Sequence, residues 1–122
     1  SKMIIVYGLK NCDRCRSALS WLKENKIIFE FFDIKSNPPS ENQIKNWINV
    51  HTINKILNKK STTWRQLSQN LKKNIDSNIE NTLLKFPTLI KRPIWEVNSK
   101  AKNHLIPGFL DDHKKYLKNL NK

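Results

Sequence analysis

Arginine, glycine and cysteine are scarce in this chain. Of 122 residues, four are arginine, two are glycine and two are cysteine. Two cysteines cannot build the multi-bridge framework of a small secreted domain, which points to a reducing cytoplasm. No apolar run approaches the length that spans a bilayer, and the mean hydropathy is −0.65. No secretory signal pattern opens the chain, and Ser1 and Lys2 ahead of Met3 read as an appended pair. Acidic side chains are also few, ten against 23 Lys and Arg, for a formal charge of +13. Such an excess ordinarily suggests nucleic acid or an acidic membrane as partner. The scarcity of arginine argues otherwise, because arginine is the usual reader of base edges. Nineteen of the 23 cations are lysine, spread along the chain, and asparagine and isoleucine are abundant beside them. These are the residues of A/T-rich codons, so coding composition accounts for much of the charge. Direct nucleic-acid binding is not expected.

The length suits one domain, residues 1–122, that buries a core without bridges or metals. Four Trp, five Phe and fourteen Ile supply its volume. "MIIVYG" (3–8) has the apolar, β-branched character of a buried strand ended by glycine. From Asn11 to about Asn25, Cys15, Ala18, Leu19 and Leu22 repeat at helical spacing. "IIFEFFDI" (27–34) is the next strand. This β-loop-α-β unit favours a parallel strand pair with a right-handed crossover.

Pro38-Pro39 then breaks the chain. Ser40 with Gln43 has capping-box spacing, ahead of an inner stripe of Ile44, Trp47, Ile48 and His51. Thr63 with Gln66, and Ser77 with Glu80, repeat that spacing, so about 40–86 is expected to be a helical insertion. "FPTLIKRPIWEV" (86–97) reads as extended, with Ile94–Val97 as a strand and "KNHLI" (102–106) as its hairpin partner. Phe109, Leu110, His113, Leu117 and Leu120 share one face of a closing helix over 109–121. The expected class is α/β: a four-stranded mixed sheet in the order βαβ, then helices, then ββα.

Both cysteines lie in "KNCDRCRSAL" (10–19). C-x-x-C beside a βαβ unit in a cytosolic chain suggests a thioredoxin-like redox motif. Cys12 at the mouth of a β-to-α loop would sit at a helix N-terminus, where free N–H groups and the helix dipole favour a thiolate. Lys10, Arg14 and Arg16 lie close by, and cations lower a thiol pKa. Asp13 opposes this slightly. Cys15 falls on the inner stripe, which leaves it as either a small core residue or a resolving thiol for a mixed disulfide at Cys12. A structural zinc wants four ligands, usually as two close pairs. A second C-x-x-C is lacking, and His51, His104 and His113 have no pair spacing. Among the arginines, Arg16 reads as surface charge, and Arg65 as either surface charge or an anion contact. Arg92 precedes Pro93, where a cis bond can form a tight corner at a strand start. If that corner faces Cys12, the guanidinium stands beside the thiol.

"MIIVYGLKNCDRCRSALSWL", "TTWRQL" and "PTLIKRPIWEV" together resemble the arsenate reductase-like family of thioredoxin-type fold, and its Spx/YffB branch most. The resemblance covers nearly the whole chain. It implies that Cys12 is the redox or nucleophilic cysteine, and that Arg92 and Pro93 are the anion-contacting arginine and the cis-proline. Lys10, Asn11 and Arg14 join them as candidate anion-binding residues. Arsenate reductases of this type use further arginines, whereas this chain has Asn58 before "KKSTTWRQL" and no arginine in "LIPGF". "TTWRQL" resembles YffB-type proteins and implies a glutathione-dependent thiol reductase, with glutathione as co-substrate and no bound cofactor. The second cysteine instead resembles Spx, a redox-sensing regulator that binds the RNA polymerase α subunit.

Overall fold

The computed structural model describes residues 2–120, and the chain divides into two compact units. Among the described residues, one comprises 2–37 and 92–120, the other 38–91.

The first unit holds the sheet. Strands β1 (Ile4–Gly8), β2 (Phe29–Asp33), β3 (Ile94–Val97) and β4 (Lys100–Ala101) lie in the order β2-β1-β3-β4. β1 runs parallel to β2 and antiparallel to β3, with Val6 opposite both Phe31 and Trp95. This is the mixed sheet expected from the sequence. Side chains alternate between sheet faces. Ile4 and Val6 of β1 and Trp95 and Val97 of β3 therefore share one face. They pack with Ala18 and Leu22 of helix α1 (Asp13–Glu24) and with Leu117, which belongs to the closing helix at Asp111–Leu120. Trp95 is fully buried, and its indole N–H donates to the Gly108 carbonyl at 2.8 Å. Gly108 in turn donates its N–H to the Pro93 carbonyl at 2.9 Å with φ +120°, a backbone angle that favours glycine.

α1 begins two residues later and ends one residue earlier than the expected span of Asn11 to about Asn25. Cys12 caps its start, and the chain leaves it through a Schellman arrangement: Ile27 N–H donates to Leu22 O at 3.0 Å and Lys26 N–H to Lys23 O at 3.1 Å. Lys26 sits at φ +57°, where glycine is the usual occupant. Ile27 and Leu22 meet in the same core.

The hairpin also departs from expectation. The partner of β3 is Lys100–Ala101, not 102–106. Asn98 and Ser99 take φ +53° and +65°, which closes the hairpin in two residues. Asn98 is fixed by exchange with Met3, accepting from its N–H at 2.9 Å and donating to its carbonyl at 2.8 Å. The following segment turns back, with Leu105 N–H on Lys102 O, and buries Leu105 in the core. The closing helix begins at Asp111, so Phe109 and Leu110 precede it. Residue 121 lies outside the described residues. Leu110 is exposed. His113 is buried, with Nδ1 accepting from the Leu110 N–H at 2.9 Å and Nε2 at 2.7 Å from the Ile106 carbonyl.

The second unit is helical: α2 (Glu41–His51), α3 (Ile53–Ile56), α4 (Thr62–Gln66), α5 (Gln69–Lys73) and α6 (Ile79–Lys85), the helix at 111–120 being α7. Ser40 and Gln43 form the expected reciprocal capping box at 3.1 and 3.0 Å. Ile44, Trp47 and His51 are buried, while Ile48 is partly exposed. The other two expected caps are displaced. Ser61 caps α4 by accepting from Trp64 N–H, and Thr63 instead pairs its hydroxyl with Thr88 at 2.6 Å. α6 starts after Asn78 without a side-chain cap, because Ser77 lies in a 3₁₀ turn and donates to Asn74 O. Pro87–Leu89 forms another 3₁₀ turn where an extended segment was expected. Pro at the first position fits such a turn, since its missing N–H has no partner there in any case.

Candidate functional site

The site is built on the loop between β1 and α1. Gly8 ends β1, and a Cβ placed on it would lie 2.5 Å from the Cys15 sulfur. Glycine is therefore required here by close approach. Cys12 follows as the N-cap of α1, in extended conformation, with its N–H on Leu9 O at 3.2 Å and its carbonyl accepting from Arg16 N–H at 2.9 Å. Both cysteines are free thiols; Cys12 is half-buried, and Cys15 is only 1% exposed.

The two thiols are poised differently. Burial pushes Cys12 upward, but hydrogen bonds from the Cys15 amide, the Cys15 thiol and Arg92, with the Arg92 charge, bring it below its ordinary value. The neutral thiol makes no capping bond, so the Cys15 amide is felt by the ionised sulfur, as expected at a helix N-terminus. Cys15 is pushed up to about 12, first by burial, while the Leu9 backbone pulls down and the Cys12 charge pushes up again. The pair thus divides into an ionisable sulfur and a proton-holding one that donates to it.

Arg92 stands beside this thiol, as the sequence suggested, and its bond to Pro93 is cis. The other candidate cations do different work. Lys10 is exposed; its N–H donates to Asp33 Oδ2 at 3.1 Å. Asn11 and Arg14 are exposed at the loop and on the first turn of α1. Arg65, in the second unit, is exposed and bonds its own neighbourhood, Lys60 O and Thr62 Oγ1. Among the described residues, no group of three or more His, Cys, Asp or Glu could hold a metal ion.

One residue of the site was not foreseen, and the contacts of another were not. Asp33, at the end of β2, accepts from the backbone N–H groups of Lys10, Lys35 and Ser36. Desolvation pushes its carboxyl upward, but these backbone bonds together with the Lys10 charge hold it below the usual range. It fastens the thiol loop to the turn after β2. A signal was available: an aspartate at a strand end before "KSNPP" favours an Asx turn. Arg16, read from the sequence as a surface cation near Cys12, is exposed but also bonds Lys10 O, Asp13 and Asn11, contacts that its helical position did not signal.

A thioredoxin-like sheet with a cysteine at the N-cap position of the first helix, beside a cis Arg-Pro, defines a class of cysteine-bearing redox domains. The chain belongs to the ArsC family, whose model matches residues 7–103. Among curated proteins, it is 37% identical over 100 residues to an uncharacterised protein of Haemophilus influenzae, covering 81% of this chain and 88% of that one. It is 32% identical over 117 residues to the global transcriptional regulator Spx 1 of Lactococcus lactis subsp. lactis, covering 90% and 84%. Among solved structures, a YFFB protein superposes with TM-score 0.83 at 28% identity, covering 93% of this chain and 97% of that one. Among the described residues, no helix is long and apolar enough to cross a membrane.

Proposed function

We propose that the protein is a glutathione-dependent thiol reductase with Cys12 as nucleophile, acting in the reducing cytoplasm. The observation that carries this reading is the contrast between the two thiols: Cys12 is lowered and half-buried, Cys15 is buried and raised to about 12. The Cys12 thiolate attacks the glutathione sulfur of a glutathionylated thiol, R–S–S–G. A Cys12–glutathione disulfide forms and RS⁻ leaves to take a proton from water. The thiolate of a second glutathione then attacks the bound glutathione sulfur, so that oxidised glutathione leaves and the Cys12 thiolate returns. Both electrons come from glutathione. Arg92 steadies the thiolate before attack and after release. Cys15 donates its hydrogen bond to the same sulfur, and its retained proton makes it a poor internal resolver.

The test is turnover of a glutathionylated substrate. Cys12→Ser should abolish it, and Cys15→Ala should keep a substantial part. Loss of turnover in Cys15→Ala as well as in Cys12→Ser would replace this reading with a dithiol route.

The similarity to Spx 1 supports a second reading, a redox-controlled regulator that binds the RNA polymerase α subunit. A pull-down of that subunit with reduced and oxidised protein separates the two, and capture in neither state removes the regulator. Arsenate reduction is disfavoured by Asn58 and by the arginine-free "LIPGF". Turnover of arsenate with glutathione and glutaredoxin would reverse that conclusion.

A further inference from the structure

The side chain of Arg16 reaches back across the loop that carries Cys12. Its Nε donates to the Lys10 carbonyl at 3.1 Å. One terminal nitrogen donates to Asp13 Oδ1 at 3.1 Å, and the other to Asn11 Oδ1 at 3.5 Å. One planar fork thus touches residues 10, 11 and 13, on both sides of the thiol. A guanidinium supplies donors along two edges at fixed angles, which an ammonium cannot do. In addition, the Arg16 amide closes the first helical bond on the Cys12 carbonyl at 2.9 Å.

Asp13 is the nearest acid in sequence to Cys12, and its side chain is 98% exposed. Left uncompensated, a carboxylate next to the sulfur works against a thiolate. The remaining charged groups around the loop are Lys10 and Arg14, both exposed, Asp33, occupied by backbone amides, and Arg92, which acts on the sulfur.

We propose that Arg16 is a positioning residue for the thiol: its guanidinium locks the 10–13 loop in the shape that presents Cys12, and cancels the charge of Asp13. The proposal rests on Cys12 being the nucleophile, yet it makes a claim about loop order that can be measured apart from that chemistry. Arg16 is more than half exposed, so its replacement leaves the core intact.

The experiment uses the full chain with Arg16→Gln, Arg16→Lys and the pair Arg16→Gln/Asp13→Asn. Cys12 alkylation by iodoacetamide is followed against pH, and amide hydrogen exchange is read at Asn11, Cys12 and Asp13. Arg16→Gln should move the rate profile to higher pH, slow Cys12 at neutral pH by about threefold to tenfold, and speed exchange at the three amides. Arg16→Lys should keep the neutral-pH rate nearer the parent but still loosen the amides. Adding Asp13→Asn to Arg16→Gln should recover part of the rate and none of the protection. Unchanged profile and unchanged exchange in Arg16→Gln would overturn the proposal. If Cys12 in the parent chain labels no faster than Cys15, the reductase reading falls. The clamp is then judged on exchange alone: faster exchange in Arg16→Gln sustains it, and equal exchange sinks it.

Discussion

Gly8 lies against the Cys15 sulfur so closely that a methyl group on Gly8 would sit 2.5 Å from it. The last residue of β1 and the inner thiol of α1 therefore share one volume. Neither can grow without moving the other.

Gly8→Ala should destabilise the protein by about 1–3 kcal/mol, the range for overpacking a filled interior. Adding Cys15→Ala removes the clashing sulfur and leaves contacts at 3.4 Å to the residue-15 Cβ and to Phe31 Cε1. The double variant should then lose less than the sum of the singles. Additive losses in a urea-unfolding cycle would contradict the shared volume.

The two thiols should label very differently. At neutral pH, Cys12 should react with iodoacetamide about a hundredfold or more faster than Cys15, because the thiolate is the reactive species. Peptide mapping by mass spectrometry measures this directly. Stability should carry the opposite signature for Cys15. Its native value is raised from 9.0 to about 12, so the unfolded chain gives up this proton first. The contribution is complete below 9.0 and is lost as pH rises towards about 12. Cys15→Ala should flatten that part of the alkaline loss, and an unchanged slope would contradict the assignment.

Lys26 holds the left-handed position of a Schellman motif with a side chain that dislikes it. Lys26→Gly should raise stability by up to about 1 kcal/mol, since glycine takes this angle at no steric cost. A thermal melt showing a lower midpoint would mean that the Lys26 side chain supplies more than its backbone loses.

His51 is 4% exposed, and neither ring nitrogen has a hydrogen-bond partner among the described residues. Burial pulls it below its ordinary 6.5. The unfolded chain therefore takes up this proton more readily. Stability is complete above 6.5 and is lost as pH falls from there towards the lowered native value. His51→Leu should remove that loss and add about 1–2 kcal/mol by eliminating unpaired buried nitrogens. Denaturant unfolding at about pH 8 and about pH 5 checks both parts.

Much of this was legible because it depends on local pattern. The apolar, β-branched run at 3–8 and the helical stripe Cys15, Ala18, Leu22 specify a buried strand and a helix, and the parallel β1–β2 pair follows from the connection. Ser40 with Gln43 was correct, while the same spacing at Thr63 and Gln66 was not. Ser61 takes the capping role two residues earlier, and Thr63 is drawn to Thr88, 25 residues away in sequence. Local spacing cannot reveal such a competitor. The hairpin was misplaced for a related reason. Asn98 and Ser99 are not the Asn-Gly pair that advertises a two-residue turn, and Asn98 is held by Met3 from the other end of the chain. At the site, Cys12 and Arg92 could be named because their residue types are rare here and chemically specific. Arg16 could be named only as a nearby surface cation, since its contacts lie in three bond directions and not in its identity.

The exchange between Met3 and Asn98 also separates two ends of the sheet. Strand β1 begins beside the Asn98–Ser99 turn and ends at Gly8, just before the thiol loop. Five extended residues span roughly 16 Å. The turn end carries exposed Ser99 and Lys100, far along the strand from Cys12. A linker attached at Lys100 would therefore anchor the protein to a surface with its chemistry facing outward.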